Sequence, residues 1–416
     1  LGTSADSVDI AEDRERFEAL LEKYSIPRPK AITVMTKEEA LAAAEKLEYP
    51  VLLRPSYVIG GQNMTIAFTE EDVCRYMDVI LSQGIENPVL CDKYLMGTEL
   101  EVDAISDGTD VLIPGIMQHI ERAGVHSGDS IAVYPPYNLS DIMLEKIIEC
   151  STQLALSLKT KGLINIQFLV YNNELYVIEV NPRASRTIPY ISKVTGVPMV
   201  ELAVRCMLGE KLRDMGYGTG LYPTGDYCAV KVPVFSFEKL HDVDTQLGPE
   251  MKSTGEVMGI DPDPDIAFAK SQVSAFNPLP TEGKVFISVN DRDKERVLHM
   301  ARQLADMGFT LCATRGTMIH LLQHDIECER AYKVNEARRP NIVDHIKNGD
   351  IDFIINTPGS HDARADDIII RSSAIAAKTS YCTNLASAQA CVNAIEALKN
   401  KNLQVCTIQE YHAQNL

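Results

Sequence analysis

Three features are missing from this sequence, and each absence excludes a class of protein. There is no long uncharged apolar run, so we expect no segment that spans a membrane. There is no CxxC pair among the ten scattered cysteines, which predicts free thiols in a reducing cytoplasm rather than a disulfide framework. There is no basic excess either: the formal net charge is −18, so we expect no binding to nucleic acid or to anionic membranes.

The start of the chain lacks the features of a targeting segment. Leu1-Gly2-Thr3-Ser4 has neither the charged start nor the apolar stretch of a signal peptide. There is no initial Met, and we expect the chain to be part of a longer protein. Its 416 residues exceed one ordinary compact core, so the sequence predicts more than one domain.

A proline-rich segment, 276–283, predicts the boundary between two domains, because Pro278 and Pro280 cannot continue a helix or a central strand. The predicted domains are 1–278 and 284–416. The first mixes helices with β-rich stretches, which is typical of an α+β arrangement. The second alternates strands and helices, which predicts a small doubly wound α/β domain with a parallel sheet.

Two local signals place helices near the start of the first domain. An apolar stripe that includes Phe17 and Leu20 predicts a helix from Ala11 to Tyr24. Thr36 followed three residues later by Glu39 is a capping box, which predicts that a second helix begins there.

The pattern also predicts a β-hairpin. The stretches 164–171 and 174–180 alternate in the manner of strands, and Asn172-Asn173 between them favours a tight turn with positive φ. Alternate residues of a strand share a face, so Asn165 and Gln167 point together, and so do Glu179 and Asn181. The intervening Ile and Val residues face the core.

This face predicts a metal site for phosphoryl transfer. Mg²⁺ takes a few protein oxygens and completes its shell with water and nucleotide phosphate, and Gln167, Glu179 and Asn181 offer such a partial shell. Arg183 and Arg186 follow, and their guanidinium groups can hold anionic oxygens. The alternative is that Glu179 and Asn181 are ordinary polar residues on a half-exposed strand.

Two further stretches are candidates for substrate contacts. Arg54 precedes a loop whose Gly60-Gly61 pair allows backbone amides to wrap a phosphate, although such a pair is also common in plain turns. The polar stretch 121–130 contains His126 and is typical of functional loops, yet also of solvated ones, and His126 could be a structural hydrogen-bonder.

Taken in order, these stretches resemble the large subunit of carbamoyl phosphate synthetase, specifically its C-terminal half. The resemblance covers almost the whole chain and is carried by five segments: Ala11–Phe17, Arg54–Tyr57, Gly124–Ser130, Glu179–Arg183 and Leu247–Gly259. It implies an ATP-grasp fold, in which two subdomains hold ATP between antiparallel sheets, with Mg²⁺ or Mn²⁺ as the metal.

The resemblance also implies roles for individual residues. The cofactor-binding residues would be Arg14, Arg54, Lys93, Leu95, Glu99, Gly124, Val125, His126, Ser127, Gln167 and Glu179. The metal ligands would be Gln167, Glu179 and Asn181. The catalytic residues would be Glu179 with Arg183 and Arg186, and the two arginines would hold the acceptor and the transferred phosphoryl group.

The activity that the resemblance implies is the phosphorylation of carbamate to carbamoyl phosphate by ATP, within a glutamine-dependent synthetase that feeds arginine and pyrimidine synthesis. Its partners would be the N-terminal half of the large subunit and a small glutamine amidotransferase subunit. Two alternatives stay open: a regulatory or assembly fragment that binds nucleotide but is inactive alone, and an ATP-grasp ligase with another acyl acceptor.

The second domain resembles the methylglyoxal-synthase-like regulatory domain of the same subunit. The resemblance implies a site for a nucleotide monophosphate effector, UMP or IMP, formed by Lys294, Thr314, Thr317, Lys333, Asn356 and Thr357. The segment from Thr314 to Thr317 lies between a predicted strand and a predicted helix, where amides and hydroxyls suit phosphate. A plain helix cap is the alternative explanation of that segment.

Overall fold

The computed structural model describes residues 2–55, 63–82, 88–239, 245–357 and 364–414. The chain forms two compact units. The first unit comprises Leu1–Asp226, Gly248–Met251 and Cys406–Leu416, and the second comprises Tyr227–Leu247 and Lys252–Val405. The predicted domain boundary at 278–284 falls inside the second unit, and the domain limits therefore stay a prediction.

The described residues form helices and strands in alternation along most of the chain. The helices are α1 (Ala5–Glu12), α2 (Arg14–Lys23), α3 (Lys37–Leu47), α4 (Glu70–Ser82), α5 (Asp141–Ser157), α6 (Ile188–Thr195), α7 (Met199–Met207), α8 (Pro264–Ser274), α9 (Lys294–Asp306), α10 (Arg315–Gln323), α11 (Ile342–Asn348), α12 (Arg364–Ala377), α13 (Leu385–Asn400) and α14 (Ile408–Gln414).

The strands are β1 (Ala31–Val34), β2 (Val51–Pro55), β3 (Thr65–Ala67), β4 (Val89–Lys93), β5 (Thr98–Asp107), β6 (Val111–Arg122), β7 (Ala132–Tyr134), β8 (Lys161–Tyr171), β9 (Glu174–Asn181), β10 (Gly220–Leu221), β11 (Cys228–Val234), β12 (Gly255–Asp261), β13 (Lys284–Ser288), β14 (Thr310–Ala313), β15 (Glu329–Arg330), β16 (Phe353–Asn356) and β17 (Ser380–Cys382).

The first unit contains a small antiparallel sheet with the strand order β1-β4-β2-β3. Its core joins strand residues such as Leu53 and Cys91 to Ala44 of α3 and Met77 of α4. The predicted capping box at the start of α3 is confirmed, since the Thr36 hydroxyl accepts from the amide of Glu39 and the Glu39 carboxylate accepts from the amide of Thr36.

A larger antiparallel sheet in the same unit follows the order β7-β6-β5-β8-β9, with β10 alongside β6. One face of it packs on α5, where Val102 and Ile166 meet Ile147 and Leu154 in the core. Because side chains alternate along a strand, the residues between these point to the opposite face. That opposite face carries the candidate site.

Two sequence predictions for this unit had different outcomes. The hairpin of β8 and β9 is confirmed, and Asn172 and Asn173 have the expected positive φ values of 51° and 62°. The helix predicted near Ala11 to Tyr24 is present as α2, but it begins later, because the chain forms two helices that meet at Asp13. Asp13 has extended backbone angles, and its carboxylate accepts from the amide of Arg16 at 2.9 Å, so it caps α2 instead of continuing α1.

The second unit contains a five-stranded parallel sheet with the order β15-β14-β13-β16-β17. The chain starts at the central strand, builds one side and returns to build the other, which confirms the predicted doubly wound arrangement. An antiparallel pair, β11 and β12, packs against α8 in this unit. The helix α12 was not predicted, and it contains a run of three isoleucines, 368–370, a residue type that is more common in strands.

Two expectations from composition can be compared with the structure. All ten cysteines are free, and most of them are buried. Across the described ranges, no helix combines the length and the apolar character that crossing a bilayer requires.

Candidate active site

The centre of the polar sheet face is a row of three side chains on adjacent strands. Glu101 of β5 lies opposite Gln167 of β8, and Gln167 lies opposite Glu179 of β9. Directly opposed residues on one face have neighbouring Cβ atoms, so these three can contact one another or a shared ligand. The predicted convergence of Gln167 and Glu179 is therefore present in the fold.

A β-bulge in β9 sets this register. Phe168 pairs with Val177 and Gln167 pairs with Glu179, so Ile178 is an extra residue. Ile178 is 38% exposed, whereas Val177 and Val180 are buried in the core. The residues between the paired polar side chains, Ile166 and Val180, face the core as predicted. The bulge shifts the alternation so that Glu179 reaches the polar face although Val177 is buried.

A buried network supports the row from beneath. Asn165 donates to Glu101 at 2.8 Å and to Asp103 at 2.9 Å, and the hydroxyls of Ser185 and Thr187 donate to Asp103. Burial and the nearby Glu101 carboxylate raise the pKa of Asp103 to about 7, although these hydrogen bonds favour its ionised form. The network holds two acidic groups close together inside the sheet.

A buried histidine offsets part of this negative charge. Nδ1 of His119 lies 3.3 Å from Glu99, and Nε2 lies 3.5 Å from Glu101. Burial alone would lower the pKa of His119, but the neighbouring Glu101 and Glu99 carboxylates outweigh burial and raise it to about 9. His119 is therefore a cation at neutral pH and stabilises both carboxylates.

The predicted metal ligands are joined to a predicted catalytic arginine. The side-chain amide of Asn181 donates to Oε1 of Glu179 at 2.7 Å, and Arg183 donates to Oδ1 of Asn181 at 3.0 Å. The amide of Gln167 donates to the hydroxyl of Ser127 at 3.2 Å. The structure thus brings all five side chains to one place, while their individual roles stay predictions.

The loop after β6 covers one side of this face. The amide of Gly124 donates to Glu99 at 3.3 Å, and the Tyr94 hydroxyl donates to the carbonyl of Ala123. Gly124 has a φ of +102°, and a Cβ there would lie 2.7 Å from atoms of both Ile66 and Tyr94. Only glycine fits this position without strain.

The other predicted loop residues lie around the same face. His126 follows in the loop, its ring nitrogen Nδ1 accepts from the amide of Gly128, and burial lowers its pKa. Val125 and Ser127 are half-buried beside it. Nη1 of Arg186 lies 2.7 Å from the sulfur of Met251.

The residues predicted to bind the nucleotide have partners within the first unit. Arg54 donates to Asp92 at 2.7 Å, and the Lys93 ammonium donates to the carbonyl of Glu48 at 2.8 Å. Leu95 is half-buried. Residues 56–62 lie outside the described part of the chain, so the predicted phosphate loop at Gly60-Gly61 stays a prediction.

Arg14 differs from these residues. Its Nε contacts Glu18 at 2.6 Å, but its Nη1 is buried and has no hydrogen-bond partner among the residues that the structure describes. Buried polar atoms are nearly always paired, so an unpaired guanidinium nitrogen indicates a position where an anion is expected.

A second candidate site lies in the second unit, at the carboxyl edge of the parallel sheet. The edge carries the six residues predicted to bind an effector: Lys294, Thr314, Thr317, Lys333, Asn356 and Thr357. The Thr357 hydroxyl accepts from the amide of Asn290 at 3.0 Å, and the Thr317 hydroxyl accepts from the amide of Val289 at 3.3 Å. These contacts join β13 to its neighbours at the switch point, where doubly wound sheets bind ligands.

Lys294 and Gly316 lie close together beside this switch point. A Cβ atom at Gly316, at the start of α10, would lie 3.4 Å from the Lys294 ammonium. The side chain of Asn356 is fully buried, donates to Asp367 at 3.1 Å and accepts from Arg371 at 3.3 Å. Asn356 therefore holds the edge together from inside. Thr314, Thr317 and Thr357 are also buried, whereas Lys294 and Lys333 are half-buried.

Comparison with known proteins gives the family. Residues 13–215 match the family described as carbamoyl-phosphate synthase L chain, ATP binding domain, and residues 296–383 match the MGS-like domain. The carbamoyl phosphate synthase large chain of Clostridium beijerinckii is 48% identical over 413 residues, which is 98% of this chain. The chain belongs to the carbamoyl phosphate synthase large-chain family. It spans 38% of the length of that relative.

Solved structures confirm the predicted ATP-grasp fold. Biotin carboxylase from Campylobacter jejuni has a TM-score of 0.53 at 17% identity, covering 66% of this chain and 68% of the other. The biotin carboxylase domain of 2-oxoglutarate carboxylase from Hydrogenobacter thermophilus, in complex with MgADP, has a TM-score of 0.51 at 18% identity, covering 66% and 67%. Likeness at this identity establishes fold alone.

Three residues of this synthase-family site were missed from the sequence: Glu101, Asp103 and His119. A signal for two of them was present, because acidic side chains at 99, 101 and 103 alternate along a predicted strand and so share one face. No comparable signal marked His119, whose partner Glu99 lies 20 residues earlier on another strand.

Proposed function

We propose that this chain phosphorylates carbamate with ATP, as the carbamoyl-phosphate-forming part of a glutamine-dependent carbamoyl phosphate synthetase in the cytoplasm. The observation that carries the proposal is the register that sets Glu179 opposite Gln167, with Asn181 hydrogen-bonded to Glu179 and Arg183 hydrogen-bonded to Asn181. The proposed partners are the N-terminal half of the large subunit and a glutamine amidotransferase subunit, and the proposed product feeds arginine and pyrimidine synthesis.

The donor chemistry of the row fits a hard divalent cation. Glu179 supplies a carboxylate on the exposed side of β9, and Gln167 and Asn181 supply amide oxygens. Mg²⁺ and Mn²⁺ both accept such an oxygen set, so the residues alone do not choose between them. The ion would neutralise phosphate oxygens during transfer.

Two features of the chain favour a nucleotide beside this row. The buried, unpaired Nη1 of Arg14 is suited to a phosphate oxygen. The Gly124 backbone approaches Glu99 closely, and Glu99 would accept from ribose hydroxyls. Because Glu99 also contacts His119, its orientation is held by a buried cation before the nucleotide arrives.

Arg183 and Arg186 would orient the acceptor and stabilise the charge that develops on the transferred group. A carbamate oxygen attacks the γ-phosphorus, the new O–P bond forms as the bond to the β,γ-bridging oxygen breaks, and ADP leaves with the electron pair. No protein nucleophile takes part. Carbamate hydrolyses readily, so the site must also exclude water.

The reverse reaction tests this proposal. Purified chain with Mg-ADP and carbamoyl phosphate should form ATP, and Glu179→Gln should reduce the rate by about 100-fold or more, since it removes the only carboxylate of the proposed metal shell. Glu174→Gln is the matched control, because Glu174 is exposed at the other end of β9, where its carboxylate accepts from the Tyr176 hydroxyl. Circular dichroism should show both variants folded.

Other outcomes would separate the alternatives. ATP formation that persists in a folded Glu179→Gln variant would remove Glu179 from the reaction. Activity with another acyl phosphate but not with carbamoyl phosphate would identify a different ATP-grasp ligase. Binding of UMP or IMP without metal-dependent binding of ATP would identify a regulatory module.

A further inference from the structure

A cluster of possible metal ligands lies on two neighbouring helices of the second unit, and none of its members is a predicted effector residue. His320 lies on α10, His324 follows its last residue, and Glu295 lies in the first turn of α9. Each offers one ligand atom, and these atoms lie within 4.8 Å of one another. Histidines four residues apart share a helix face, which is a spacing that zinc proteins use.

The distances are close to those of a coordination shell. Nε2 of His320 lies 3.3 Å from a carboxylate oxygen of Glu295, and the two imidazole centroids are 4.6 Å apart. Zinc bonds of about 2.0–2.1 Å at tetrahedral angles place neighbouring ligand atoms roughly 3.3 Å apart. His320 and Glu295 already have that separation, and the ligand atom of His324 lies within 4.8 Å of both.

The ring of His324 is oriented for binding. Its Nδ1 lies 2.9 Å from the backbone carbonyl of His320, so Nδ1 carries the proton and donates it to that carbonyl. The lone pair is then on Nε2. In metal-binding histidines, the ring nitrogen that does not bind the metal usually donates its proton to a backbone carbonyl or a carboxylate.

The environments of the other two residues fit the same role. The His320 side chain is 16% exposed and that of Glu295 is 75% exposed. A site with one carboxylate at the surface and two imidazoles can be filled from solvent. It also avoids burying an unpaired charge.

We propose that Glu295, His320 and His324 form a binding site for a divalent transition metal of the zinc class, which joins α9 to α10. Two imidazoles and one carboxylate, with water in the fourth position, match Zn²⁺ and disfavour Mg²⁺, which prefers oxygen ligands. The site is therefore chemically distinct from the oxygen-rich row at Glu179. It would fix the two helices whose first residues lie at the carboxyl edge of the parallel sheet.

The test uses the full chain after dialysis against a chelator. Calorimetric titration with Zn²⁺ should show one ion bound by this site, and Co²⁺ in its place should give the intense visible absorption of a tetrahedral ion. Loss of an orienting partner alone weakens metal binding about 10–100-fold, so Glu295→Gln and His324→Gln should each weaken it by at least about tenfold. His299→Gln is the matched control, because His299 is exposed on α9.

The choice of variants distinguishes loss of the metal site from misfolding and from metal binding by other residues. Glu295 is mostly exposed, so Glu295→Gln tests the site even if a substitution at His320 disturbs packing. Unchanged affinity in folded Glu295→Gln and His324→Gln variants would overturn the proposal. A near-ultraviolet thiolate band with Co²⁺ would also overturn it, because that band would assign the ion to cysteine. Neither result bears on carbamate phosphorylation.

Discussion

The two candidate sites use different parts of a β-sheet. In the first unit the site lies on the face of an antiparallel sheet, and its functional groups are strand side chains such as Glu101, Gln167 and Glu179. In the second unit the site lies at the edge of a parallel sheet, where strand ends such as Thr357 meet helix starts such as Lys294. The first arrangement buries charged side chains, whereas the second buries neutral side chains and leaves its two lysines, Lys294 and Lys333, half-buried.

This difference has an energetic consequence. Glu99, Glu101 and Asp103 lie on one face of β5, and His119 is the cation placed among them. Lys294 instead pairs at 2.7 Å with Asp291, which is almost fully exposed. We therefore expect the stability of the first site to depend strongly on pH between neutral and alkaline conditions. The stability of the second site should depend on individual hydrogen bonds.

The largest expected effect is the loss of stability of the first unit at high pH. The pKa of His119 is raised from 6.5 to about 9, so folding favours its protonated form. The contribution is complete below pH 6.5 and is lost as pH rises through about 9; it amounts to about 3 kcal/mol. Hydrogen exchange, corrected for its intrinsic pH dependence, should show falling protection in β5 and β8 but not in β13 and β16.

A neutral variant checks the cause of that effect. His119→Gln should lower protection in β5 and β8 at pH 6 and leave little further change up to pH 9, because the titrating cation is gone. Equal pH dependence in the variant and the unchanged chain would show that another group is responsible.

A smaller effect is expected from Gly124→Ala. The positive φ and the 2.7 Å approach to Ile66 and Tyr94 leave no room for a methyl group, and forced strain of this kind costs on the order of 2 kcal/mol. Binding of Mg-ATP, measured by calorimetry, should weaken by about tenfold or more. Gly108→Ala is the control, because Gly108 also has positive φ but its nearest neighbour would be 3.4 Å away on the Lys161 side chain. Equal weakening in both variants would exclude a specific role for the Gly124 contact.

Local sequence signals predicted much of what the structure contains. The capping box at Thr36, the turn at Asn172 and the alternation of strands and helices after residue 284 depend on neighbouring residues, and each is present. The break at Asp13 was missed because a cap and a continuous apolar stripe compete there, and the cap is the stronger local preference.

The parts that could not be predicted depend on distant pairing. Asn165 and Glu101 contact each other although 64 residues separate them, and only the pairing of β5 with β8 brings them together. The bulge at Ile178 likewise follows from core packing, since Val177 and Val180 must both be buried. The sequence therefore indicated the polar residues of the site but not the buried network behind them.

At the sheet edge, Lys294→Gln should weaken the binding of UMP or IMP by about tenfold, since a hydrogen bond to a charged group contributes about 1.5 kcal/mol or more. Lys347→Gln is the control, because Lys347 is exposed on α11. Calorimetry of the full chain measures both. Equal affinities in the two variants would remove Lys294 from the effector site.

The smallest expected effect comes from Thr357→Val, which keeps the shape of the side chain and removes its hydroxyl. The amide of Asn290 then loses its acceptor at 3.0 Å, which should lower the stability of the edge by about 1 kcal/mol. Exchange at Asn290 should speed up by about fivefold in Thr357→Val and stay slow in Thr357→Ser, which retains the acceptor oxygen. Fast exchange in both variants would mean that the methyl group, and not the hydroxyl, holds the ends of β13 and β16 together.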